Sequence, residues 1–371
     1  MTTEPVTIAV ATENGGFLIT SDADRINWKI DKPFLKGESV NYAIHDGNGN
    51  FFASTLTEGV FASNDQGKTW KPSSRGLHVR KVWSLEGDRH ESGVLYAGTQ
   101  YGHLFKSTDS ARSWEEMTDL YEAPGRKEWG IDWGFGTTGL TIHTIKSDPN
   151  RKGRIYIVPA GNGTYRTDDS GKTWELLKKG VSDSCPVASD YSPPGSSMTP
   201  EEVIRDHLDN VHKCTHKLAV SSSRPGVLYQ QNHCGVLASE DYGKSWKDVS
   251  PDPGMRHGFS IVLTEGKVNS LFTVPAYQGK CNSHNSCIQG QIKVLRSMDG
   301  GKHWTTLTKG LPDSVHNCVL RDAMAKDRSD SPGIYFGTTT GELYGSTDNG
   351  EKWNLLASKL GRIQGVSVLA G

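Results

Sequence analysis

Apolar and polar residues alternate in short runs along the whole chain, and turn-forming residues separate one run from the next. The stretch 140–176 shows the arrangement, because its four runs at 140–145, 154–158, 163–166 and 172–176 are separated by segments rich in Gly, Asp, Asn and Pro. Alternation with period two and enrichment in β-branched residues predict β-strands. The same series of four strands, named A to D, recurs along the sequence and predicts an all-β fold.

A short motif, Ser/Thr-x-Asp-x-Gly-x-x-Trp, ends strand C and begins strand D in each series. Its copies begin at Ser63, Ser107, Thr167, Ser239, Ser297 and Ser346, and a degenerate copy runs from Ser21 to Trp28. In the copy at Ser107, Ala111 replaces the glycine. A carboxylate that accepts backbone N–H bonds, a glycine with positive φ and a tryptophan that covers the hairpin suit a tight turn. We therefore interpret the motif as structural and not as a ligand site.

The tryptophans that end these motifs lie 42 to 72 residues apart, which is typical of four-stranded propeller blades with insertions. The chain starts with a B-like strand at 6–10 and a C strand at 16–20, and it ends with an unassigned strand at 363–369. We expect this last strand to supply strand A of the first blade, because that removes open sheet edges. The sequence therefore predicts one domain, residues 1–371, folded as a seven-bladed β-propeller closed by its C-terminal strand.

The motif copies resemble the Asp boxes, or BNR repeats, of the sialidase-like propeller superfamily, and they cover essentially the whole chain. The sequence is similar to bacterial and archaeal seven-bladed proteins labelled glycosyl hydrolase or exo-sialidase on repeat similarity. It departs from true sialidases, because no Arg-Ile/Leu-Pro motif precedes the first copy and the predicted blades number seven instead of six. It also resembles the xyloglucan-cleaving Asp-box enzymes, which have two such propellers in tandem, and the photosystem II assembly factors, which keep a non-enzymatic role open.

Three long insertions interrupt the repeat, and all are predicted to lie on the face opposite the Asp boxes. They cover residues 119–137, 179–212 and 276–289. The first two follow strand D, and the third separates strands B and C of the sixth blade. Because consecutive strands alternate in direction, D–A and B–C connections share one face while A–B and C–D turns share the other. Long connections often carry functional residues.

The first insertion also contains aromatic residues beside carboxylates. Trp129, Trp133 and Phe135 lie near Glu128 and Asp132. Such rings suit the stacking of sugars, and carboxylates suit glycoside acid/base chemistry. Aromatic residues that anchor a long loop are the alternative.

Histidines and charged residues near the start of the innermost strands form the candidate catalytic set. His143 and His216 occupy matching positions in blades four and five, Asp322 beside Arg321 matches them in blade seven, and His233 lies in the B–C turn of blade five. We expect these side chains to meet at one opening of the central channel. Histidines with a carboxylate suit a divalent metal, namely Zn, Cu, Mn or Fe, with His143, His216 and His233 as ligands. They equally suit a general base with an arginine partner.

These features predict a glycosidase- or lyase-like enzyme that acts on a small-molecule or carbohydrate-like substrate at the channel opening. In this interpretation His143 and His216 serve as base or metal ligands, His233 as a further ligand or acid, and Arg321 as an anion clamp. Two alternatives stay open. The histidines can be structural hydrogen-bonding residues, and the protein can be a non-catalytic scaffold for a protein or peptide partner.

Charge and cysteine content narrow the range of partners and compartments. The chain has 41 Lys and Arg residues, 42 Asp and Glu residues and a formal net charge of −1, which argues against nucleic acid and membrane partners. No stretch of 18 apolar residues occurs, and residues 1–5 lack the pattern of a leader. We therefore expect a cytoplasmic protein. The 6 cysteines are expected to be free thiols in that compartment. The alternatives for Cys281 and Cys287 are a small loop disulfide or a metal site shared with His284.

Overall fold

The computed structural model describes residues 4–129, 140–181, 214–276 and 288–371. Within them, seven four-stranded antiparallel sheets form the blades of a propeller. This confirms the prediction of an all-β, seven-bladed fold. No helix among the described residues is both long and apolar enough to cross a lipid bilayer.

The strands follow the predicted A-to-D order in every blade. The first blade contains β1 (Thr7–Thr12), β2 (Gly15–Ser21), β3 (Trp28–Ile30) and the C-terminal strand β30 (Ile363–Ala370). Blade two contains β4 (Val40–His45), β5 (Phe51–Thr55), β6 (Val60–Ser63) and β7 (Lys71–Pro72). Blade three contains β8 (Val82–Gly87), β9 (Leu95–Thr99), β10 (Leu104–Ser107) and β11 (Glu115–Glu116). Blade four contains β12 (Ile142–Ser147), β13 (Ile155–Pro159), β14 (Tyr165–Thr167) and β15 (Glu175–Leu176).

The remaining blades repeat this arrangement. Blade five contains β16 (Thr215–Val220), β17 (Leu228–Asn232), β18 (Gly235–Ser239) and β19 (Lys247–Asp248). Blade six contains β20 (Gly258–Thr264), β21 (Ser270–Pro275), β23 (Val294–Ser297) and β24 (Thr305–Leu307). Blade seven contains β26 (Met324–Lys326), β27 (Ile334–Gly337), β28 (Leu343–Ser346) and β29 (Asn354–Ala357). A separate ribbon pairs β22 (Ile288–Gly290) with β25 (Val315–Asn317), and short 3₁₀ helices cover Thr118–Glu122, Arg126–Glu128 and Pro253–Met255.

The C-terminal strand closes the ring as the sequence predicts. β30 pairs with β1 in antiparallel register from Thr7↔Ala370 to Thr12↔Ile363. It also contacts the innermost strands of both neighbouring blades, β4 and β26. Gly365 packs against the carbonyl of Asn41 so closely that a Cβ atom would clash with it. The innermost strand of the first blade is thereby tied to both neighbouring blades, and the inner edge of β1 is covered.

The motif turns are held by hydrogen bonds within the motif. In the copy at Ser63, the serine hydroxyl donates to Asp65 at 2.8 Å and accepts from the Gly67 N–H at 2.8 Å. Hydrogen bonds from the side chain and backbone of Thr69 lower the pKa of Asp65 to about 2. Gly67 has φ 85°, a conformation that favours glycine. These contacts make the turn a compact hairpin connection.

Several motif tryptophans also link one blade to the preceding blade. The indole N–H of Trp114 donates to the carbonyl of Ser73 at 2.8 Å, and that of Trp246 donates to Leu177 at 3.2 Å. Trp304 donates in the same way to Val249 at 2.8 Å. Trp114 and Trp246 are each 3% exposed. The tryptophans therefore fill the space between adjacent sheets and satisfy a carbonyl beyond strand D of the neighbour.

The face opposite the motif turns, called the upper face, carries the D–A and B–C connections. After β11 the described part of the first insertion forms two 3₁₀ helices. Trp129 is buried there, and its indole N–H donates to the Tyr165 hydroxyl at 3.0 Å. This ring therefore anchors the connection. Residues 130–137, 182–212 and 277–287 of the insertions, including Trp133, Phe135 and Asp132, lie outside the described residues.

Replacing an interblade tryptophan should destabilise the ring. We expect Trp246→Ala to lower the free energy of unfolding by about 3–5 kcal/mol, because it opens a cavity between two sheets. Urea unfolding followed by fluorescence and circular dichroism measures this change. Ile26→Ala, at a side chain that is 74% exposed, is the control and should leave the midpoint near that of the unmodified protein. Equal midpoints for the two variants would contradict the interblade role.

Candidate functional site

Four histidines gather where the innermost strands of blades four to six begin, at the upper opening of the channel. The rings of His216 and His233 have centroids 5.5 Å apart, those of His216 and His257 are 5.4 Å apart, and those of His233 and His257 are 4.4 Å apart. His143 lies close enough for the charge of His216 to affect it. His143, His216, His233 and His257 are called the histidine cluster.

Hydrogen bonds orient two of these rings. Nδ1 of His216 lies 2.6 Å from the carbonyl of Gly258, and Nδ1 of His257 lies 3.0 Å from the carbonyl of His233. A carbonyl only accepts, so each Nδ1 carries the proton and each Nε2 keeps a lone pair. The Phe259 ring stacks on His216 with centroids 4.7 Å apart and fixes its plane. With an unprotonated Nε2, each of these imidazoles can accept a proton or bind a metal.

Burial keeps these imidazoles neutral near pH 7. His143 and His216 are 2% and 4% exposed, and burial lowers the pKa of each well below the usual 6.5, with a further contribution from Arg321. Burial also lowers the pKa of His257. A charged imidazole loses hydration in such a place, so the neutral form is favoured.

An ion pair crosses the channel beside the histidine cluster. The Lys217 ammonium group, from blade five, contacts Oδ1 of Asp322 in blade seven. The same ammonium lies 5.5 Å from the centre of the Tyr42 ring in blade two. Burial lowers the pKa of Lys217, and the neighbouring Asp322 opposes that effect. Asp322 is therefore committed to Lys217.

A second ion pair joins blades three and four toward the other end of these strands. Lys146 Nζ lies 2.9 Å from Oε2 of Glu86. Burial alone would raise the pKa of Glu86, but Lys146 and Arg89 outweigh it and hold the pKa below the ordinary value. The channel is thus lined by charges in pairs that come from different blades.

Arg321 differs from the other cations of the opening. Its Nε is buried and has no hydrogen-bond partner in the structure. The nearby thiol of Cys214 supplies no charge, because burial raises its pKa to about 11. Cys214 is therefore a protonated thiol and not the thiolate that a nucleophile or metal ligand needs.

The structure brings the predicted site residues together, but one of them, Asp322, forms an ion pair. His143, His216, His233 and Arg321 share the upper opening, whereas Asp322 is held by Lys217. Their catalytic and metal-binding roles stay predictions. Cys234 is disulfide-bonded, so the expectation of free thiols is wrong for that residue. Cys214 and Cys318 are free.

Sequence reasoning missed Lys217, His257 and Tyr42. His257 directly precedes strand β20, as Cys214 precedes β16, and this shared position was a signal that could have identified it. Lys217 follows His216 in sequence, but its partner Asp322 is 105 positions away. No local pattern indicates such a contact across the channel.

A second cluster lies on the upper face of blade three. It contains His78 after β7, His103 in the β9–β10 turn and Glu116 in β11. One ligand atom from each lies within 4.8 Å of the others. Nδ1 of His103 is 2.6 Å from Oε1 of Glu116, and Nε2 of His78 is 3.7 Å from Oε2. Across the described ranges, the histidine cluster of the opening does not form a group this tight, and its metal stays a prediction.

Similarity searches relate the chain to xyloglucanases. No family model matches the sequence. A xyloglucanase of Paenibacillus sp is 25% identical over 341 residues, which are 84% of this chain and 28% of that protein. A probable oligoxyloglucan-reducing end-specific xyloglucanase of Neosartorya fischeri is 28% identical over 212 residues, 57% of this chain and 22% of that protein. The chain thus spans about a quarter of the length of these relatives.

Solved structures support the fold. An ancestral GH74 enzyme superposes with a TM-score of 0.60 at 16% identity, over 89% of this chain and 38% of that chain. YCF48 bound to a D1 peptide superposes with a TM-score of 0.51 at 14% identity, over 86% and 81% of the two chains. At these identities the likeness shows the propeller architecture alone.

Acidification should destabilise the folded protein through the buried imidazoles. Histidines whose folded-state pKa is lowered stay neutral when folded and take up protons on unfolding, so stability present above pH 6.5 is lost as pH falls below it. Each of the two histidines lowers the free energy of unfolding by about 1.4 kcal/mol when the pH falls from 7.5 to 5.5. Between pH 7.5 and 5.5, the free energy of unfolding should therefore fall by roughly 3 kcal/mol less in the double variant His143→Gln, His216→Gln than in the unmodified protein.

Urea unfolding at the two pH values measures this difference. Ile26→Ala is the control, because it changes no titratable group and that side chain is 74% exposed. It should show the same pH dependence as the unmodified protein. A double variant that does so too would contradict the inference that burial holds His143 and His216 neutral.

Proposed function

We propose that this protein is a carbohydrate-acting hydrolase whose active site is the upper opening of the channel. The observation that carries the proposal is the position of neutral imidazoles beside the Lys217–Asp322 pair and Arg321. The xyloglucanase relatives support a glycan as the substrate class. Hydrolysis of a glycosidic bond needs a general base and a general acid, and a neutral imidazole and an ammonium group can fill these two roles.

The geometry suggests a division of roles. Nε2 of His216 is unprotonated and accepts the proton of a water molecule that attacks the anomeric carbon. The glycosidic C–O bond breaks, and the leaving oxygen takes a proton from the Lys217 ammonium, whose pKa is lowered by burial. The proton on His216 then returns to Lys217 through solvent, and Asp322 restores the ion pair. The partly buried Phe259 ring stacked on His216 holds the base in position.

Hydrolysis of defined polysaccharides tests this proposal. The purified full chain is incubated with xyloglucan, mixed-linkage β-glucan, homogalacturonan and a sulfated galactan, and released reducing ends are measured. The unmodified protein should cleave at least one polymer. His216→Ala and Lys217→Met should each lower kcat by about 100-fold or more, as expected for loss of a proton-transfer group. His303→Ala, on the opposite face, should retain full activity.

Other outcomes would assign a different role. A protein that cleaves none of these polymers but retains a peptide or protein partner on its upper face would be a scaffold. Activity that survives in both the His216 and Lys217 variants would place catalysis elsewhere on the chain.

A further inference from the structure

We infer that the ligand of the upper opening is an anionic glycan and that Arg321 binds its carboxylate or sulfate group. This inference rests on the proposed function and names the substrate class of the same site. Its first support is the state of the guanidinium group. Nε of Arg321 is buried without a partner, and no described residue accepts a hydrogen bond from this side chain. Buried donors in folded proteins are nearly always bonded, so this Nε–H is a candidate donor to a bound group.

The described neighbours of Arg321 compensate its charge only in part. Asp322, the adjacent carboxylate, favours the charged guanidinium, but its Oδ1 is paired with Lys217. His143 and His216 are neutral, and the charge of Arg321 helps to lower their pKa. The thiol of Cys214 is protonated. A positive charge that the described residues offset only in part favours an anion.

The planar guanidinium suits this task, because its fork matches the two oxygens of a carboxylate or sulfate. A neutral sugar offers only hydroxyl groups, which cannot offset the charge. An anionic glycan therefore fits this opening better than a neutral glucan does.

Calorimetry with monosaccharide probes tests the inference. D-Glucuronate and D-glucose 6-sulfate are titrated into the full chain, with D-glucose as the neutral reference. One or both anionic probes should bind, and Arg321→Gln should weaken that binding by about 10- to 100-fold, the range for one charge-assisted contact. The probe that binds identifies the carboxylate or the sulfate as the recognised group.

Arg256→Gln is the matched control. Arg256 lies on the upper face and is already paired with Asp248 and the carbonyl of Cys234. Arg256→Gln removes the same charge as Arg321→Gln, but from a side chain that is already paired. The affinity for the anionic probe should therefore be unchanged. Arg321→Lys retains the positive charge but lacks the planar guanidinium group, so it should weaken binding by an intermediate factor. It replaces Arg321→Gln as the test if the glutamine variant does not fold.

The results separate this inference from the proposed function. Equal binding of glucose and both anions, or unchanged binding by Arg321→Gln, would overturn the anionic substrate. Cleavage of a neutral polymer that Arg321→Gln leaves intact would overturn it too. Selective, Arg321-dependent binding without cleavage of any polymer would support it and reject the hydrolase.

A different observation supports a second inference, that His78, His103 and Glu116 bind a divalent metal such as Zn²⁺. Glu116 and His103 come from blade three and His78 from the connection between blades two and three, and their ligand atoms converge within 4.8 Å. In a tetrahedral zinc site, ligands about 2.1 Å from the metal are separated by roughly 3.4 Å. The contacts of Glu116 with His103 at 2.6 Å and with His78 at 3.7 Å fall on both sides of that value.

The cluster is accessible and has a fourth candidate ligand. The side chains of His78, His103 and Glu116 are 54%, 20% and 19% exposed. The Tyr121 hydroxyl lies 2.7 Å from Nδ1 of His103 and also contacts Glu116. A metal that enters replaces the proton shared between His103 and Glu116. This proton moves to solvent or to Nε2 of His103.

Zinc binding to the tag-free full chain tests the second inference by calorimetry and by elemental analysis after dialysis. The unmodified protein should bind one Zn²⁺ at this cluster, and His78→Gln and His103→Gln should each weaken binding by about tenfold or more. His303→Gln removes a histidine that contacts a single carboxylate, Asp299, and should change nothing. No binding, or binding lost in His216→Gln but kept in both cluster variants, would overturn it.

Discussion

The pairing of the last strand with the first is the contact on which the rest of the structure depends. β30 completes the first blade and touches the innermost strands of blades two and seven. Once the ring is closed, alternation of strand direction assigns every connection to one of two faces. The motif hairpins take one face, and the starts of the innermost strands take the other. The histidine cluster and Arg321 meet because ring geometry brings those strand starts to a single opening.

Many polar and charged side chains lie at the upper opening, where burial makes an unpaired charge unfavourable. Imidazoles respond by staying neutral, and two of them are oriented by carbonyl groups. Lysines respond by pairing with carboxylates from other blades. Arg321 does neither, since arginine keeps its charge and has no hydrogen-bond partner among the described residues. This contrast between satisfied and unsatisfied groups is the basis of the proposal that Arg321 binds the ligand.

The fold was readable from the sequence because each blade repeats a local pattern. Periodic strands and the Asp-Gly-Trp spacing predicted seven blades and the closing strand. The site was readable only in part. His143 and His216 could be located because they occupy equivalent strand positions, whereas the bond between Lys217 and Asp322 joins opposite sides of the ring. The cluster of His78, His103 and Glu116 was not predicted for the same reason, because its members come from three separate segments of the chain.

Sharing one blade between the two ends of the chain has a consequence for biosynthesis. Strands β1 to β3 leave the ribosome before β30, so the edge of β1 stays unpaired until residues 363–370 follow. An unpaired edge readily adopts the wrong partner. The long interval between β1 and β30 in the sequence therefore keeps this edge open to wrong pairing for most of the synthesis of the ring.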